Sequence, residues 1–244
     1  MAGNWKMYKT APETCAFFEK FRPLVENTEG REIVICPTFV NIPAAAKAVE
    51  GSRIEIGGQN LYWKNEGAFT GEISAPMLAA AGARWVIIGH SERRQYFGET
   101  DETVCMKTVA ALAAGLKPIV CVGERLEERE SGRTEAVLAA QFGGGIARLS
   151  PEQFAAIAIA YEPVWAIGTG KTATPEIAAD AHAFIRSQAA SLFGAGAAGS
   201  LRILYGGSVK PDNTKILMAK DDIDGVLVGG ASLDPASFAS IANF

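Results

Sequence analysis

Eight short apolar runs recur along the chain at a spacing suited to one strand and one helix each, and this rhythm restricts the fold more than any other feature. The runs are Ala2 to Trp5, Ile33 to Cys36, Ile54 to Ile56, Trp85 to Ile88, Pro118 to Val122, Ile157 to Tyr161, Leu201 to Tyr205 and Val226 to Val228. Helix starts stand between them. Thr10-Ala11-Pro12-Glu13 and Ser150-Pro151-Glu152-Gln153 have capping-box spacing, while Thr174-Pro175 and Asp234-Pro235 put proline at the first helical position. Eight βα units over 244 residues predict an α/β fold, a closed eight-stranded parallel (βα)8 barrel, as a single domain over 1–244. An open doubly wound sheet shares the alternation, but eight units with no linker or composition break favour closure.

The chemistry of such a barrel lies at the C-terminal strand ends. The run Ile157 to Tyr161 delivers Glu162 to such an end, and Pro163 stops the ladder by removing an amide donor. Stiff residues from Pro163 to Trp165, an apolar tip at Ile167, and Gly168 and Gly170 make the next stretch a lid whose bare amides suit a phosphate. His90 follows the run Trp85 to Ile88; a histidine satisfied by nearby backbone is the plain alternative, and the equivalent placement of Glu162 favours chemistry. Asn4 and Lys6 flank Trp5 at period two and point the same way. Together these four predict a donor, a cation, an imidazole and a base around one mouth. Tyr205-Gly206-Gly207-Ser208 and Gly229-Gly230-Ala231-Ser232 end the last two strands as a phosphate cup.

Other features point away from rival classes. A net charge of −4 offers no general attraction to nucleic acid or an anionic membrane. Cys15, Cys36, Cys105 and Cys121 form no CxxC pair, which argues against zinc or disulfides and for a reduced cytoplasmic protein. No leader pattern and no run of about eighteen apolar residues is present, so a soluble, non-exported chain is expected. Gly194-Ala195-Gly196-Ala197-Ala198-Gly199 matches GxGxxG but follows a helical stretch and precedes a strand, the reverse of a dinucleotide site. Gly168 to Thr172 mimics the tail of a Walker loop, with Trp165 where the first glycine belongs. His182 reads as solvated surface on a polar helical face. Ala189 to Ser200 reads as a surface connector or a frayed helix end. Gln59 to Glu72, long and carrying Tyr62, Trp63 and Phe69, reads as an interface arm.

Ala2 to Met7, Gln59-Asn60, Thr70-Gly71-Glu72, Gly89 to Arg94, Ala160 to Thr172, Tyr205 to Val209 and Val228 to Leu233 resemble, in order and spacing, the triosephosphate isomerase family. The resemblance covers essentially the whole chain and implies a TIM barrel that interconverts dihydroxyacetone phosphate and glyceraldehyde 3-phosphate, in glycolysis and gluconeogenesis. It implies Glu162 as base, His90 as a neutral imidazole acting on the carbonyl, and Asn4 and Lys6 steadying the enediolate. Glu92 would hold Lys6, with Ser91 beside it; Ile167 and Leu227 would clamp over Glu162, and excluding water would strengthen the base and protect the intermediate. Amides near Gly168, Ser208, Gly229 and Gly230 would hold the phosphate of a small phosphorylated triose. No metal or cofactor is needed. The family is usually a homodimer whose arm, around Thr70, reaches the neighbour's site near Met7. Three departures stand out: the start at Met1-Ala2, which shortens the first strand and would weaken closure; Tyr8 in place of a small polar residue; and Gly143-Gly144-Gly145, which would loosen a helix. A phosphate-binding barrel without turnover and a nucleotide-dependent enzyme remain as rivals.

Overall fold

In the computed structural model, residues 1–167 and 173–244 are described. Eight parallel strands close in sequential order: β1 (Ala2–Asn4), β2 (Ile33–Cys36), β3 (Ile54–Gly58), β4 (Trp85–Ile88), β5 (Lys117–Val122), β6 (Ala158–Tyr161), β7 (Arg202–Tyr205) and β8 (Gly225–Val228). Short as it is, β1 is paired on both sides, Asn4 with Cys36 and Gly3 with Val228, so the ring closes. The eight expected runs match within a residue or two. The largest difference is β3, extended through Gly57 and Gly58, where a Cβ would run into Cys36 Sγ and Leu78 respectively.

The strands look continuously apolar because both faces are covered. Val34, Cys36, Trp85, Ile87, Ile119, Cys121, Ala158, Ala160, Leu204 and Leu227 fill the barrel interior. The alternate residues, such as Ile35, Val86, Val120, Ile159, Ile203 and Val226, join the cluster under the helices. Two positions on from an inward residue is inward again, so Asn4 after Ala2 and Glu162 after Ala160 carry the inward parity to the mouth.

The helices outside begin as their caps predict. In α1 (Ala11–Val25) the Thr10 amide donates to Glu13 Oε2 at 2.7 Å, and its buried face packs Phe17 and Phe18 on Trp5 and Phe21 on Phe17. The next are α2 (Ile42–Ala48), α3 (Ala75–Ala80), α4 (Ser91–Tyr96), α5 (Asp101–Ala113), α6 (Leu126–Glu130) and α7 (Thr134–Gly145). Then come α8 (Pro151–Phe154), α9 (Pro175–Phe193), α10 (Ala195–Ser200), α11 (Pro211–Met218) and α12 (Pro235–Ala242). Ser150, Thr174 and Asp234 each accept an amide hydrogen bond at the start of their helices.

Three local expectations are corrected. The glycines at 143–145 stay helical; a Cβ on Gly144 would meet Asp101 Cβ at 2.7 Å and one on Gly145 would meet Val104 at 3.2 Å, so these two allow α7 to approach α5. Ala189 to Ser200 is neither connector nor frayed end. Gly194 turns the chain at φ +88° and α10 folds back, tied by Arg186 to the carbonyls of Ala198 and Leu201. The GxGxxG letters thus lie in a helix that follows a helix. His182 is buried, on the stripe Ala178, Ala181, Ile185, Ala189 that α9 turns inward. No described helix is long and apolar enough to cross a membrane.

Candidate active site

Each side chain at the mouth is held by its strand end and by one local device. Glu162 follows β6 directly, and the backbone beside it is crowded: a Cβ on Gly123 would fall 1.7 Å from the Glu162 carbonyl oxygen, and one on Gly206 would meet Glu162 Cγ at 2.9 Å. Glycine directly after each neighbouring strand, Gly123 after β5 and Gly206 after β7, lets Glu162 sit there. His90 lies at an outward-parity position after β4, and Gly89, at φ +76°, turns the chain so that the ring enters the mouth. Gly89 is itself pinned, its amide donating to Glu99 Oε1 at 2.8 Å and its carbonyl accepting from Arg94 at 2.8 Å.

Lys6 differs from the period-two expectation. The strand stops at Asn4, and Lys6 reaches the mouth through a left-handed backbone, φ +50°, with its amide donating to Asn4 Oδ1 at 3.0 Å. Its ammonium pairs with Glu92 Oε1 at 2.5 Å. Asn4, Lys6, His90, Glu162, Ile167, Ser208, Leu227, Gly229 and Gly230 therefore line one cavity of about 440 Å³.

The hydrogen bonds assign the proton on His90. The ring caps α4, its Nδ1 accepting from the Glu92 amide at 3.2 Å, so Nδ1 carries no hydrogen and Nε2 does. Nε2 in turn stands 3.0 Å from Glu162 Oε1, while Glu162 Oε2 accepts from the Ser91 amide at 2.9 Å. The result is a neutral imidazole presenting N–H, beside a buried carboxylate, beside a cation. That arrangement suits removal of a proton next to a carbonyl, with charge developing on oxygen.

The whole chain, residues 1–244, matches the family model described as triosephosphate isomerase. The chain belongs to the triosephosphate isomerase family. It is 70% identical over all of its length to the triosephosphate isomerase of Solibacter usitatus, covering 98% of that protein, and 57% identical to that of Citrifermentans bemidjiense, covering 97%. The crystal structure of triosephosphate isomerase from Bartonella henselae superposes with a TM-score of 0.89 at 41% identity, covering 99% of this chain and 96% of the other.

Within this member of the family, the residues expected at the mouth come together, with Ser91 and Glu92 behind His90 and Lys6. Ile167 follows a short 3-10 turn, Val164–Ala166, and shares the cavity with the buried Leu227. Gly168, with the Walker-like letters up to Thr172, lies outside the described residues. Among the described residues no group of three or more His, Cys, Asp or Glu is placed to hold a metal.

Sequence reasoning missed two supports. Glu124, fully buried, accepts on Oε1 from Tyr161, Arg129 and the indole of Trp165, which fixes the turn Val164–Ala166 against β6. Gln59 has no role in the sequence reading beyond the arm and the resemblance, yet its amide donates to the carbonyls of Lys6 and Cys36. Neither contact is written in a motif: Gln59 meets residues 53 and 23 positions away, and Glu124 meets Tyr161 and Trp165, 37 and 41 positions on.

Proposed function

We propose that residues 1–244 act as one catalytic domain that runs the family's interconversion of dihydroxyacetone phosphate and glyceraldehyde 3-phosphate with Glu162 as base. The carboxylate takes the proton from the carbon beside the carbonyl, and the C–H electrons form the double bond of an enediolate. Charge gathers on the former carbonyl oxygen, where His90 Nε2–H, the Lys6 ammonium and the Asn4 amide stabilise it. His90 moves a proton between the two oxygens, and Glu162 returns its proton to the neighbouring carbon. Amides around Ser208, Gly229 and Gly230, with Gly168 from the lid, hold the phosphate. Ile167 and Leu227 close over Glu162 and exclude water, which would otherwise open the enediolate to phosphate elimination.

The observation that carries this reading is the His90 Nε2 to Glu162 Oε1 contact of 3.0 Å together with a His90 Nδ1 already occupied by the Glu92 amide. A substrate carbonyl that takes the Nε2 hydrogen frees Glu162 for the adjacent carbon. Proton NMR of dihydroxyacetone phosphate in deuterium oxide tests it. The parent forms the aldehyde and exchanges carbon-bound hydrogen, and Glu162→Gln loses roughly a hundred- to ten-thousand-fold of that rate while still binding substrate. A folded parent with no turnover would leave only a phosphate-binding barrel.

We also read the protein as a cytoplasmic homodimer. Four free thiols, three of them buried, fit a reducing compartment. The exposed tip of the arm and the 90% exposed Met7 fit a partner, and a hollow of about 510 Å³ bordered by Met7, Phe39, Glu72 and Phe97 offers a seat for the arm of a second copy.

A further inference from the structure

We propose that Gln59 is a positioning residue that holds Lys6 in its active conformation and so ties the root of the arm to the mouth, an inference that rests on the role given to Lys6 above. Among the described residues only Lys6 and Lys9 combine a side chain with positive φ, and Lys6 stands at +50°. That region disfavours a residue with a Cβ, so the surrounding bonds must keep Lys6 there. One lies on its amino side, where its amide meets Asn4 Oδ1. The other lies on its carbonyl side, where Gln59 Nε2 donates at 2.9 Å.

The same nitrogen donates to the Cys36 carbonyl at 2.8 Å, an oxygen that also receives the Trp5 amide at 3.1 Å. One side-chain amide thus joins the end of β2 to the turn after β1, and it does so from the inward-parity position that follows β3. A primary amide is suited to this, with two hydrogens on one nitrogen for two carbonyls; an ionised carboxylate of the same shape has none. The adjacent Asn60 extends the link. Its Oδ1 accepts from Lys107, which pairs with Glu99, which holds the amide of Gly89 before His90. The first two residues of the arm therefore brace the segments carrying both Lys6 and His90. A relaxed Lys6 would point its ammonium elsewhere and give up the place it shares with Glu92.

Steady-state isomerisation by the full chain, with Gln59→Leu, Gln59→Glu, Lys6→Ala and the double variant Gln59→Leu with Lys6→Ala, tests this. Gln59→Leu is expected to lower kcat/KM roughly ten- to a hundred-fold, from one lost bond and the released strain, with an unchanged circular dichroism spectrum. The double variant is then no slower than Lys6→Ala alone, within about two-fold, because Gln59 acts through Lys6. Gln59→Glu, which preserves shape if the leucine disturbs folding, recovers rate relative to the parent between about pH 8 and about pH 5, as its carboxyl gains a hydrogen to donate. Full additivity in the double variant, or a Gln59→Glu rate equal to the parent at every pH, would overturn the assignment. An active parent that Lys6→Ala leaves unchanged would instead overturn the role of Lys6 beneath it.

Discussion

The chain has two histidines, and what their ring nitrogens meet sets their roles. His90 has both nitrogens engaged at the mouth, one by an amide and one by a carboxylate. His182 has Nδ1 on the Asp222 carbonyl at 3.0 Å and Nε2 with no partner among the described residues, edge-on to Tyr161 and near Tyr205. Burial pulls its pKa from 6.5 down to about 4, with the Asp222 carbonyl opposing weakly. Because the folded value lies below the unfolded one, the unfolded chain takes up the proton first on acidification. The stability gained from keeping His182 neutral is complete above about pH 6.5 and fades toward pH 4, by up to about 3 kcal/mol. Urea unfolding of the parent and of His182→Gln at pH 7 and pH 5 should show the parent losing more; equal losses would mean the ring is not buried neutral. The letters around His182 suggest a polar face, but the stripe from Ala178 to Ala189 held the true signal, since position 182 falls on it at helical spacing.

At the scale of elements, the strands and caps were legible because they depend on neighbours in sequence: apolar runs, a proline at a first turn, an acid three residues past a cap. The positions proposed to carry the chemistry were legible for a related reason, since parity along a strand carries Asn4 and Glu162 inward. What escaped was set by close approach between elements. The Gly144 contact with Asp101, the fit of Gly123 and Gly206 around Glu162, and the Gln59 clamp join residues remote in sequence and leave no periodic trace. The arm was legible as a long aromatic loop, and it is built as one: Tyr62 stacks on Trp63 at 4.0 Å and lies 4.6 Å from Phe69, and the Tyr62 amide bonds the Ile73 carbonyl. Its root faces the mouth and its tip faces solvent. Replacing residues 65–70 by a short turn while keeping Gln59 and Asn60 should therefore give a folded monomer in analytical ultracentrifugation with depressed kcat. A monomer of full activity would separate the arm from catalysis, and a persistent dimer would remove it from the interface.

Across the whole molecule the two ends of the barrel are built for different purposes. The C-terminal mouth gathers buried charge, a left-handed lysine and bare glycines, all of which strain or weaken a fold. The N-terminal end is closed by a belt around Trp85: its indole donates to Glu55 at 2.5 Å, and Lys117 and Arg202 lie over its ring at 4.9 and 5.7 Å. Glu32 joins the belt by pairing with Arg202 and with Lys117. Partial burial pushes the Glu32 carboxyl up, yet Arg202 and Lys117 hold it below the usual value. A depressed carboxylate stabilises the fold above its unfolded pKa, and that contribution disappears as pH falls through the acid range below about pH 4. Since Glu32 and both partners are at least a third exposed, screening keeps the effect small. Glu32→Gln should thus cost about 1 kcal/mol or less at neutral pH, lose that difference from the parent in acid, and leave kcat/KM within about two-fold. Thermal melting at pH 7 and pH 3, read beside the isomerisation rate, checks both halves. A steep loss of rate with unchanged melting would show that this end of the barrel reaches the chemistry at the other, and the division between the two ends would not hold.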